Sequence, residues 1–180
     1  MGVDASSLVD RRLLGGWESF GAVLVPNPDS LLIPGGLGPV WPVKLSSGEC
    51  DLLIAGRGAD GVQRIIRTLA TVGREVPVGE DATLVLDADG RSGFDRHGTG
   101  YPCLVEVDGV RTLLYVGWQR LDGEIPFRNE VGSAVLDDDF LVVERVDDPI
   151  LSGPDRLVGS GSCDLVEVGG RTRLLYTRFL

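Results

Sequence analysis

Positive charge is scarce in this chain. Seventeen lysines and arginines face 27 aspartates and glutamates, for a formal net charge of −10. A phosphate backbone needs a basic footprint, so neither nucleic acid nor an anionic membrane surface is expected as a partner. The 3 cysteines, Cys50, Cys103 and Cys163, are odd in number and far apart. That excludes a disulfide framework and a CxxC metal knuckle and points to reduced thiols in a cytoplasmic protein. His97 is the only histidine. No stretch approaches the run of about 18 apolar residues that spans a bilayer, and the first twenty residues place acid before base, unlike a secretory signal. Met1-Gly2 with Ser6 satisfies the myristoylation pattern formally, but Asp4 and Asp10 deny it a basic second anchor. There is no P-loop, no HExxH and no GxSxG, so phosphoryl transfer, zincin chemistry and an α/β-hydrolase triad have no support. In Asp87-Ala88-Asp89-Gly90 the glycine comes too early for a calcium loop and no glutamate closes it, so no metal or cofactor is expected.

Apolar residues are plentiful, at 43% of the 180 residues, enough for one domain over 1–180 with a real core. They come in short runs between glycine, aspartate and proline, with Gly at 26 and Pro at 10. The runs LLIAG, ATLVLD, PCLVEV, TLLYVGW, FLVVERV, CDLVEV and RLLYTRF are too short for capped helices and rich in strand formers, so the fold class is all-β. The segment Val62 to Ala70 is the one helical candidate, because Val62, Ile65, Ile66 and Leu69 would share a helical face. A strand is favoured there, for the reason of repetition that follows.

Leu104 to Tyr115 (LVEVDGVRTLLY) over Leu165 to Tyr176 (LVEVGGRTRLLY) gives eight identities in twelve positions at an offset of 61. A fainter copy lies about sixty residues earlier, with GPVWP matching GTGYP. Each unit reads as strand, Asp-Gly or Gly-Gly hairpin, strand, loop, strand, turn, strand, with Asp137 to Asp139 at the last turn of the second unit. Four antiparallel strands make a propeller blade. The units run about 38–90, 91–151 and 152–180, a partial β-propeller of about two and a half blades. Propellers close with about four to eight blades, and RLLYTRFL is too apolar for a bare edge. We therefore expect either that the chain is a piece of a longer product or that a homo-oligomer, or a second chain, completes the ring.

In the second unit, Phe94-Asp95, YVGW (Tyr115 to Trp118), PFRN (Pro126 to Asn129) followed by VGSA, and the closing DDPIL are specific enough to name a family. The chain from Pro39 to Tyr176 resembles the glycosidase-like five-bladed β-propeller proteins related to arabinanases, fructosidases and mannoside phosphorylases. In the first unit, AGRGADGVQRI looks like that family's arginine and aspartate pair, here Arg57 and Asp60. The resemblance implies a carbohydrate-active protein in glycan or natural-product biosynthesis, with a sugar or glycoside as ligand. Its inverting glycosidases carry carboxylates where inner strands start, and this chain has Trp41-Pro42, Tyr101-Pro102 and Ser162-Cys163 at those positions. Inversion needs an acid and a base about 6.5–9.5 Å apart. Two readings stay open: a glycosidase-like enzyme, and a non-catalytic sugar-binding or scaffolding propeller.

Asp95, in a glycine-rich loop entering an inner strand, is the candidate acid or base; the alternative is a loop carboxylate accepting backbone N–H groups. His97 lies two residues on and titrates near neutrality, beside Asp95 or simply in solvent. Trp41, Tyr101 and Trp118 fall where flat faces stack on sugar rings, whereas Tyr115 and Tyr176 read as core. Arg57 and Arg128 suit a carboxylate or phosphate on the ligand, or salt bridges with Asp60 and Glu130. Cys103 and Cys163 begin inner strands as a thiol pair, a nucleophile or small buried residues.

Overall fold

A computed structural model describes residues 24–45, 48–71, 76–78, 82–88, 90, 93–122, 126–152 and 159–179. The described residues form twelve strands and no helix: β1 (Leu24–Val25), β2 (Leu37–Leu45), β3 (Glu49–Arg57), β4 (Gln63–Thr71), β5 (Val76–Pro77), β6 (Thr83–Leu86), β7 (Gly98–Val107), β8 (Val110–Arg120), β9 (Phe127–Leu136), β10 (Val142–Arg145), β11 (Gly159–Glu167) and β12 (Thr172–Phe179). The N-terminal segment with the myristoylation pattern and most of the first twenty-five residues lie outside the described set.

Val62 to Ala70 is a strand. β4 pairs antiparallel with β3 along its length, from Arg57 opposite Gln63 to Glu49 opposite Thr71, and with β6 on its other edge. Its neighbours Ile65 and Ile66 are both fully buried, because both faces of this strand are covered. An apolar run without alternation is what a doubly covered strand needs, and at short range it mimics a helical stripe.

Two four-stranded antiparallel units result, β2-β3-β4-β6 and β7-β8-β9-β10, followed by the hairpin β11-β12. One parallel bridge, Gln63 to Gly98, links the two units. Strands β2 and β11 both pack against β7, so the first strands of the three units lie side by side. The order β10-β9-β8-β7-β4-β3-β2 does not close on itself. The turns follow their sequence signals. Asp108 and Gly109 (φ 52° and 77°) join β7 to β8, and Gly169 and Gly170 (φ 61° and 70°) join β11 to β12, the paired positive φ values of a tight two-residue hairpin.

Alternation along the strands assigns each face to a core. Leu53, Ile65 and Leu86 of the first unit meet Phe94, Leu113, Tyr115, Ala134 and Phe140 of the second. On the far face of the first unit, Ile33 packs with Leu52, Ile54 and Ile66. Between the second unit and the hairpin, Cys103, Leu114 and Val131 pack with Cys163. Each such side chain contributes about 1.5–3 kcal/mol on burial. One contact joins the first two units: Arg67, forked onto Asp51 within the first unit (2.8–3.2 Å), lays its guanidinium 4.2 Å from the Phe140 ring of the second, which Arg111 approaches at 4.7 Å from another strand.

One expectation about the core fails. Tyr115 is fully buried, but its repeat partner Tyr176 is 43% exposed. The second unit continues past β8 into β9 and β10, whereas β12 pairs only with β11 among the described residues, so no further strand flanks Tyr176 there.

Candidate functional site

Strands β8 and β9 pair with Trp118 opposite Asn129 and Gln119 opposite Arg128. Since side chains alternate, Val116, Trp118, Phe127 and Asn129 emerge on one face, and Gly117, Gln119, Arg128 and Glu130 on the other. A different cavity opens on each face.

The first is a recess of about 220 Å³ lined by Arg57, Gln63, Tyr101, Val116, Trp118, Phe127 and Asn129. Tyr101 reaches it through an irregularity: the β7-β8 register slips between Gly100 and Cys103, and Tyr101 adopts φ 49°. The corresponding stretch of β11 slips between Ser160 and Cys163, so the bulge belongs to the repeat. A left-handed backbone at an aromatic residue is strained, about 1–3 kcal/mol, and it turns a side chain that the pleat would otherwise direct elsewhere. Tyr101 is 43% exposed and Phe127 53%. Gly98 lets the Trp118 indole lie against β7, because a Cβ there would collide with the indole nitrogen. The Arg57 guanidinium is steadied by the Gly61 carbonyl at 2.8 Å.

The second cavity, about 530 Å³, is lined by Phe94, Asp95, Gln119, Glu130, Arg145 and the 146–149 segment. Asp95 is 2% exposed. Its Oδ2 accepts the Tyr115 hydroxyl at 2.7 Å and a short charged bond from Arg145, which also donates to the Asp87 carbonyl at 3.0 Å in the first unit. Burial, then the hydrogen bond to Asp95, pushes the Tyr115 hydroxyl well above the usual tyrosine range. Glu130 is buried and bridged to Arg128 at 2.8 Å. Desolvation raises its carboxyl above the ordinary 4.5, against the opposing pull of Arg128.

Three of the eight residues singled out from sequence thus converge: Arg57, Tyr101 and Trp118. The others go elsewhere. Asp60 does not pair with Arg57; its carboxylate forks onto Arg64 (2.9 and 2.5 Å) and caps the Val62 amide, which together hold its pKa well below the usual carboxylate range. The i,i+4 spacing across the β3-β4 turn delivers Arg64, not Arg57, to it. His97 does not meet Asp95, whose Oδ2 is taken by Tyr115 and Arg145. Its Nδ1 accepts the Arg120 amide at 3.0 Å and its ring lies 6.1 Å from Trp118, so it backs the recess. Burial, Arg96 and Arg120 lower its pKa from 6.5. Trp41 packs against the clusters containing Leu53 and Cys103, outside the residues lining the recess. Arg128 lies on the opposite face of β9 from the recess and is ion-paired with Glu130.

Gln63, Phe127 and Asn129 were missed, and Glu130 was named only as the salt-bridge partner of Arg128, which it is. Phe127 and Asn129 flank Arg128 within PFRN, and period-two alternation from Trp118 across the hairpin would have selected them. Gln63 carries no signal of its own, since only the pairing of β4 with β7 brings it to Gly100.

No family model matches the chain, and no characterised protein sequence does. Among solved structures, its fold is similar to part of a sucrose-6-phosphate hydrolase from Lactobacillus gasseri, at a TM-score of 0.54 and 19% identity over 78% of this chain. The chain spans 28% of that structure's length. A glycosyl hydrolase from Bacteroides ovatus aligns over 84% of this chain and 65% of its own at 15% identity and a TM-score of 0.44. The all-β fold thus resembles part of the sucrose-6-phosphate hydrolase structure.

Proposed function

We propose that this chain is part of a cytoplasmic, carbohydrate-active protein of the glycosidase-like five-bladed propeller type, whose recess binds the ring of a sugar or glycoside. The observation that carries this reading is Tyr101: a strained, half-exposed aromatic at a register slip, brought beside Trp118, Phe127, Arg57, Gln63 and Asn129. Aromatic faces with a few amide and guanidinium groups suit a pyranose, whose C–H face stacks on a ring while its hydroxyls seek hydrogen-bond partners. No carboxylate is among the lining residues, so binding is better supported there than cleavage. Side-by-side β2, β7 and β11 support the propeller arrangement, with the ring completed by a second copy or another chain.

A catalytic reading rests on a separate observation. Asp95 and Glu130 line the same cavity, one ion-paired with Arg145 and one with its pKa raised by burial. A carboxylic acid of raised pKa beside a second carboxylate is what a glycosidase asks of its acid and its partner. Calorimetric titration with free sugars, aryl glycosides and nucleotide sugars separates the readings. Binding lost in Tyr101→Ala and Trp118→Ala, with no turnover, supports the sugar-binding protein. Turnover abolished in both Asp95→Asn and Glu130→Gln supports the enzyme. Binding of no member of the panel overturns the first reading.

A further inference from the structure

Cys103 on β7 and Cys163 on β11 come from neighbouring units, 60 residues apart, yet they share one buried cluster with Leu114 and Val131, at 0% and 6% exposure. Each thiol shifts the ionisation of the other, as neighbours in one cluster do. The carboxylate oxygen Oδ1 of Asp164, the residue after Cys163, lies 3.7 Å from the Cys103 sulfur. Two thiols and a carboxylate are therefore gathered where the hairpin β11-β12 covers the second unit. Both cysteines are reduced here, and Cys50 packs in a different cluster.

We propose that Cys103 and Cys163 form a redox-active dithiol, oxidised to an intramolecular disulfide by a low-molecular-weight disulfide. Cys163 loses its proton to solvent and attacks one sulfur of the oxidant RSSR; that S–S bond breaks, a mixed disulfide forms on Cys163, and RS⁻ leaves to take up a proton. Cys103 then attacks the Cys163 sulfur as its thiol proton moves toward the departing sulfur. The second RS⁻ is expelled and takes that proton. The protein dithiol and RSSR thus become the protein disulfide and two RSH. The neighbouring Cys103 thiol favours the Cys163 thiolate, while Cys163 itself, then burial and the Asp164 charge, hold Cys103 protonated until the second step. Access follows from topology: β11-β12 is hydrogen-bonded to no other strand among the described residues, and a lone hairpin opens more readily than a sheet. The disulfide would fasten this hairpin to the inner strand that carries Tyr101.

The test is incubation of the full chain with oxidised glutathione, followed by peptide mapping and thiol labelling. We expect a cross-link between the Cys103 and Cys163 peptides, Cys50 alone left reactive, and a melting temperature raised by about 10 °C and restored by reductant. Cys50→Ser should behave as wild type, Cys163→Ser should neither cross-link nor shift, and Asp164→Asn should cross-link at least as fast as wild type, because the charge that holds Cys103 protonated is gone. A cross-link through Cys50, or none even when mild urea loosens the hairpin, overturns the proposal.

Discussion

Replacing Asp95 by asparagine tests whether this carboxylate is structural. The side chain is 3% exposed, and its Oδ2 accepts both the Tyr115 hydroxyl and Arg145. The asparagine is isosteric and its carbonyl can still accept from Tyr115, so the change removes mainly the charge opposite Arg145. Removing one partner of a buried ion pair costs about 3–5 kcal/mol. Arg145 is itself 24% exposed and keeps its bond to the Asp87 carbonyl, which lowers the expected cost to about 2–3 kcal/mol. For a chain this long that corresponds to a fall in Tm of about 5–10 °C, with a lower urea midpoint at unchanged slope. Arg145→Met in the Asp95→Asn background should recover part of the loss, because the orphaned guanidinium goes with it. Sugar binding in the recess should survive, since Asp95 serves the opposite face of the β8-β9 hairpin. A Tm within about 1 °C of wild type, together with lost turnover or binding, would refute the structural assignment and make Asp95 a functional group held at the expense of stability.

Tyr101→Gly relieves the strain at φ 49° and should leave the Tm unchanged or raised by a few degrees while abolishing sugar binding; calorimetry on folded variant protein reads both. Phe140→Ala removes the ring between Arg67 and Arg111 at the first interface and should cost about 3–5 kcal/mol by urea unfolding. His97 is held below its ordinary pKa of 6.5, so the unfolded chain binds the proton more readily than the folded one. Its contribution to stability is present above pH 6.5 and lost as pH falls through the lower folded-state value; the pH profile of Tm should flatten there in His97→Gln.

Local chemistry was enough to read the strands and their turns. Asp108-Gly109 and Gly169-Gly170 permit paired positive φ, and between them short apolar runs repeat at an offset of 61, so the antiparallel hairpins follow from residue type alone. Both faces of β4 being apolar was also written in Ile65-Ile66, though only the pairing with β3 and β6 distinguishes that strand from a helical stripe. The site was half legible. Arg57, Tyr101 and Trp118 could be selected because arginine and exposed aromatics near strand ends suit a ligand whatever surrounds them. Which partners they would find was not local information. Asp60 took Arg64, His97 took the Arg120 amide, Asp95 took Arg145 from fifty residues away, and Trp41 went into packing. Each of those outcomes depends on which face of a strand meets the next unit, and that is decided by register and by a slip at Gly100 to Cys103 that propensity does not encode. The same geometry, set only when β7 and β11 lie side by side, brings Cys103 to Cys163 from two units of the repeat.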